Sequence, residues 1–117
     1  MSEKREIVDY IADAIDAMNK AEKFVEGMSF EIFKEDDKTV FAVIRALEVI
    51  GEAVKNVPEE SRDAAAHIPW KQIAGMRDIL IHEYFGVDLE TLWQTVKVNI
   101  PQTKPLLSAF LATLQKN

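Results

Sequence analysis

The sequence predicts an all-α protein, an antiparallel bundle of four to five helices in one domain over residues 1–117. Three observations carry that expectation. Apolar residues recur at three- and four-residue steps over long segments, which is the period of one helix face. No stretch alternates apolar and polar residues as a half-buried strand would. The four glycines and four prolines are scattered as punctuation, with no internal repeat or low-complexity tract.

The first helix is expected over residues 3–28, where Ile7, Ile11, Ala14, Ile15, Met18, Ala21 and Val25 make one apolar stripe and Gly27 marks the end. Ser29 is a capping residue for a short piece over 30–34. Asp36 and Asp37 open a second long helix, where negative charge suits the positive helix end. Val40, Phe41, Ile44, Leu47, Gly51 and Val54 form its expected inner face, and Pro58 stops it. The segment PEESRDAAAH reads as a linker with one helical turn, His67 included. Pro69 is placed as the first residue of a third helix, WKQIAGMRDILIHEYF, ending at Gly86. Asp88 caps a fourth, LETLWQTVKVN, and Pro101 and Pro105 punctuate a last one carrying Leu106, Leu107, Phe110, Leu111 and Leu114.

Composition narrows the chemistry. A chain of 117 residues buries roughly 65% of its unfolded surface, enough for a core without metal or disulfide staples. Apolar residues make up 48% and charged residues 29%, a globular balance. There is no cysteine, which excludes disulfides, thiolate zinc sites and a cysteine nucleophile and fits a reducing cytoplasm. No apolar run is long enough to span a membrane, and the charged start MSEKREIVDY has no secretory signal pattern. The net charge of −6 disfavours non-specific polyanion binding, so any nucleic-acid role needs a local site. His67 and His82 have no metal-ligand spacing, and no cofactor motif, phosphate loop, serine elbow or basic helix-turn-helix is present. Trp70 and Trp93 read as core side chains.

The third helix breaks its own pattern. At about 100° per residue, Trp70, Ile73, Ile81 and Tyr84 lie close to the direction of Arg77, which puts a guanidinium at the centre of an apolar face. Such a group needs a carboxylate, a backbone acceptor or an anionic ligand. Glu48 and Glu52 on the second helix are the available carboxylates. Two compatible readings stay open: an ion pair joining two helices, or an arginine held in a cleft to bind phosphate bidentately. His82 points about 140° away on an ideal helix and shares its stripe with Lys71, Gly75 and Asp78. Asp78, one turn earlier, is placed to orient the imidazole. Arg77 and His82 therefore meet one ligand only if the helix unwinds near Gly86 or if two copies of the chain complete the site. Gly75 would permit close approach of a second chain, and a two-fold homodimer is expected. Tyr84 faces the same way as Arg77 and reads either as a core-edge tyrosine or as a hydroxyl beside the arginine.

Arg77-Asp-Ile-Leu-Ile-His82-Glu-Tyr84 resembles the arginine, four residues, histidine, any residue, tyrosine motif of HEPN-domain proteins. With VIRALEVIGEAVKNVP, IPWKQIAGMRDILIHEYFGVDLETLW and the helical first third, nearly the whole chain is similar to the HepT-type toxins, which pair with a minimal nucleotidyltransferase antitoxin. The resemblance implies a dimerising helical bundle and a metal-independent, cofactor-free endoribonuclease acting on RNA rather than DNA. It implies Arg77 and His82 as the catalytic pair and Tyr84 as the acceptor of AMP from the antitoxin, which silences the toxin. Asp78 lies within the family's range at its position. Two other functions compete with this one. The acidic charge fits a non-catalytic helical subunit that binds and regulates a nucleotidyltransferase. An Arg77–glutamate pair alone fits a purely structural bundle.

Overall fold

The computed structural model describes residues 3–78 and 88–116. Among them there is no strand, and the order is α1 (Glu3–Phe24), α2 (Phe30–Glu35), α3 (Asp37–Lys55), α4 (Glu59–Ala64), α5 (Trp70–Ala74) running into a 3₁₀ turn (Gly75–Arg77), then α6 (Leu89–Gln94), a π-turn (Thr95–Asn99) and α7 (Ile100–Gln115). The expected all-α bundle is what forms. No described helix is long and apolar enough to cross a membrane.

Local chemistry accounts for the boundaries. Gly27 adopts φ +78° after α1, a conformation only glycine takes without strain, so the predicted stop falls where expected although the regular helix ends at Phe24. The Ser29 hydroxyl accepts the Ile32 N–H at 3.2 Å and caps α2. Asp36 accepts the N–H and hydroxyl of Thr39 at 3.2 and 2.9 Å, and Asp88 does the same with Thr91 at 3.1 and 2.7 Å. In both, the threonine hydroxyl first and its backbone N–H second hold the carboxyl below the ordinary aspartate range. A depressed folded pKa stabilises the fold above the unfolded pKa, and this contribution is lost as pH falls through the folded value. Asp36→Asn, which keeps the cap but removes the titration, should therefore flatten the decline in melting temperature below about pH 4. An unchanged acid decline in that variant would count against the cap as its source.

α1 and α3 form the main pair. Tyr10 and Asp13 lie opposite Ala53 and Asn56, whereas Phe24 lies opposite Ala42, so the two run antiparallel. Ile11, Ala14, Met18 and Ala21 of α1 meet Val43, Leu47, Ile50 and Val54 of α3, all fully buried. α7 closes the other side of α1, where Lys104 donates to Asn19 at 2.9 Å and pairs with Glu22. Phe41 departs from expectation. It is 70% exposed, because Val40, Val43, Leu47, Ile50 and Val54 define the buried stripe and Phe41 stands well off it at the helical repeat. The core assignment of the tryptophans holds. Trp70 donates to the carbonyls of Arg62 and Ala65 and meets Phe110 edge-on, and Trp93 packs on Phe30 and Phe33.

One expected break is absent and one unexpected change of helix type appears. α6, the π-turn and α7 are continuous from Leu89 to Gln115, so the expected fourth and last helices are one. Pro101 cannot donate a backbone hydrogen bond, and the π-turn just before it shifts the register: Ile100 N–H bonds to the carbonyl of Thr95, five residues back. The expected third helix, by contrast, is interrupted. α5 starts at Trp70 with Pro69 as its cap residue, and it tightens to 3₁₀ geometry at Gly75.

Candidate functional site

Arg77 is the last residue of the 3₁₀ turn, and its seat is set by α3. A Cβ placed on Gly51 would come within 2.7 Å of Arg77 Cβ and 2.8 Å of the Ala74 carbonyl oxygen, distances that real side chains do not show. The missing side chain is what lets the 3₁₀ turn lie directly on α3. The next residue, Glu52, then reaches Arg77, with Oε1 2.7 Å from Nη1. One pair of neighbours on α3 therefore supplies the gap and the counter-charge.

The tight turn also changes which way Arg77 faces. At three residues per turn, Ile73 and Met76 eclipse each other, and both are buried. Arg77 consequently leaves the centre of the apolar face that α-helical spacing assigned to it and sits at the edge, with its side chain 27% exposed. Glu52 is 57% exposed, so the pair is wet on one side and adds at most about 1 kcal/mol to stability. Its effect is geometric: it fixes one edge of a fork-shaped donor, and Glu52 is the one carboxylate paired with that guanidinium among the described residues.

The other predicted residues divide as follows. Glu48 is not a partner of Arg77; it lies 3.9 Å from Arg45, a loose pair on the outer side of α3. Asp78 is exposed, and its N–H closes the turn on the Gly75 carbonyl at 2.9 Å. His82 and Tyr84 fall in the segment 79–87, outside the described residues. The wide angle expected between Arg77 and His82 is set by that segment and so also lies outside the described residues. Among the described residues no group of three His, Asp or Glu side chains is arranged to hold a metal. No described residue lies within 4 Å of where a Gly75 Cβ would stand.

Two features escaped the sequence reading. The close approach at Gly51 was visible only as a small residue on an inner face. The π-turn was hidden because a proline at this spacing reads as a helix break.

The family pattern described as Ribonuclease HepT-like matches residues 14–110. A protein of Thermococcus cleftensis named "Probable ribonuclease HepT" is 52% identical over 101 residues, covering 86% of this chain and 92% of that protein. A Methanocaldococcus jannaschii protein with an RNase designation is 43% identical over 113 residues, 97% of each chain. A third, from Caldanaerobacter subterraneus and also designated an RNase, is 49% identical over 87 residues, covering 74% of this chain and 78% of that protein. No solved structure matches the chain. The match spans α1 through α7, including the Gly51–Glu52–Arg77 seat, and the chain belongs to the HepT-like ribonuclease family.

Proposed function

We propose that the chain is a metal-independent endoribonuclease of a toxin–antitoxin pair. The observation that carries this reading is Arg77, held at the rim by Glu52 in a chain of a ribonuclease family. The 2′-hydroxyl of the RNA attacks the adjacent phosphorus. It loses its proton as the bond to the 5′-oxygen breaks and that oxygen gains one, leaving a 2′,3′-cyclic phosphate and a 5′-hydroxyl. His82 is the group that moves protons, because imidazole is the side chain suited to that task near neutral pH. Arg77 neutralises the charge that develops on the phosphate. Tyr84 donates to a phosphate oxygen. Transfer of AMP from ATP to the Tyr84 hydroxyl by a nucleotidyltransferase antitoxin, with the hydroxyl proton lost and pyrophosphate released, places bulk and negative charge where the phosphate must sit, which silences the enzyme. A homodimer brings a second copy of the same turn to the site.

The test uses purified protein, single-stranded RNA and a chelator. Cleavage leaving cyclic phosphate ends is expected, and growth arrest on expression should be relieved by a neighbouring nucleotidyltransferase gene together with a mass gain of one AMP on the Tyr84 peptide. Intact RNA at low salt, together with a stable complex with that nucleotidyltransferase, would establish the regulatory-subunit reading instead, which the net charge of −6 favours.

A further inference from the structure

α5 and the 3₁₀ turn face α6 and the π-turn across a cavity of about 210 Å³. Its walls are Gln72, Gly75, Met76, Thr91, Thr95 and Asn99. No charged side chain is among them. The Gln72 and Asn99 carboxamides have no hydrogen-bond partner among the described residues. Thr95 and Thr91 donate their hydroxyls elsewhere, to the Thr91 carbonyl and to Asp88, so their oxygens face the space as acceptors only.

Gly75 is the most informative wall. Its backbone is ordinary right-handed helix, with φ −69° and ψ −9°, so the conformation does not call for glycine. No described residue lies near its absent Cβ, so packing among the described residues does not call for it either. This is the reverse of Gly51. A glycine that neither backbone nor packing requires leaves open space, and the space here is the cavity. The π-turn supplies the opposite wall by turning Thr95 and Asn99 onto one side, a deviation helices adopt frequently at functional sites.

We propose that this cavity is the nucleobase subsite of the ribonuclease, taking one unstacked base of single-stranded RNA beside the cleaved phosphate. The inference rests on the ribonuclease reading above and deepens it. Two free carboxamides and two acceptor hydroxyls match the mixed donor and acceptor edge of a base, and single-stranded RNA is read mainly through such splayed-out bases. The volume is below that of drug-sized pockets, the scale of a single ring system. Arg77 follows Gly75 by two residues in the same 3₁₀ turn, a rise of about 4 Å at about 2 Å per residue, which is a separation one nucleotide can bridge between its base and its phosphate.

The experiment pairs binding with cleavage. Wild-type protein is titrated with adenosine, cytidine, guanosine and uridine separately, while the backbone amides of Gly75 and Thr95 and the side-chain amide of Asn99 are followed by NMR. Shifts confined to these groups, and larger for one or two of the nucleosides, are expected. Gly75→Leu, which fills the cavity, should abolish them. Asn99→Ala should narrow the kcat/KM ratio between oligonucleotides differing in one base near the cut by roughly ten- to a hundredfold, the effect of one base-edge contact. Gln72→Ala, on the exposed rim, repeats the test should Gly75→Leu fail to fold. Nucleoside shifts located elsewhere, a wild type that cuts all four bases equally, or variants with unaltered base preference would each overturn the subsite. The nucleoside titration needs no cleavage, so loss of the base site is distinguishable from failure of the ribonuclease reading.

Discussion

Replacing Arg77 with alanine is expected to lower RNA cleavage by about a hundred- to a thousandfold, the usual consequence of removing one preorganised donor to a developing negative charge. The fold should survive. Glu52 is 57% exposed, so water solvates the carboxylate left behind, and the stability change is limited to about 1 kcal/mol or less. Arg77→Lys keeps the charge but loses the planar fork, and it should recover only part of the activity. Glu52 never touches substrate in this reading. Glu52→Gln should reduce kcat several-fold while its neutral amide still permits folding, and the losses in Arg77→Ala and the double variant should be equal, because both residues act through one guanidinium. His82→Ala should match Arg77→Ala in severity and remove the near-neutral inflection of the pH profile. Arg77→Met with undiminished cleavage would show that the Arg77–Glu52 pair is structural alone.

Gly51→Ala is expected to affect both stability and activity through one added methyl group. That methyl would stand 2.7 Å from Arg77 Cβ and 2.8 Å from the Ala74 carbonyl oxygen, neither of which is the free end of a flexible side chain. Overpacking of this kind costs about 1–3 kcal/mol, and alanine's better helix propensity returns up to about 1 kcal/mol. With the full offset a net loss of up to about 2 kcal/mol follows, visible as a melting temperature lowered by up to roughly 10 °C. Cleavage should fall further than the unfolded fraction explains, because the turn that carries Arg77 is pushed off α3. Gly75→Ala is the internal contrast. Its φ of −69° suits alanine and its Cβ meets no described residue, so it should raise stability by about 0.4–1 kcal/mol by restricting the unfolded chain. Thermal melts of the two variants side by side decide the matter. A Gly51→Ala protein that melts at or above wild type with full activity would refute the close approach.

Much of this protein is legible along the chain. The apolar stripes of α1 and α3, the Ser29, Asp36 and Asp88 caps and the turn at Gly27 follow from local rules: helical period, an oxygen acceptor beside free N–H groups, and a residue tolerant of positive φ. The motif from Arg77 to Tyr84, with its flanking segments, was enough to place the chain in its family, since a motif is itself a pattern in sequence. Three things depended on elements distant in sequence. Glu48 and Glu52 lie one turn apart on the same helix, and only the approach of the 3₁₀ turn at Gly51 selects Glu52 as the partner of Arg77. Phe41 reads as apolar and therefore inward, but which stripe of α3 is buried is set by the width of α1 against it. Pro101 reads as a break, yet a π-turn backed by packing on α1 carries the helix through. In each case local pattern alone does not decide between two outcomes, and contact with an element distant in sequence settles which one forms.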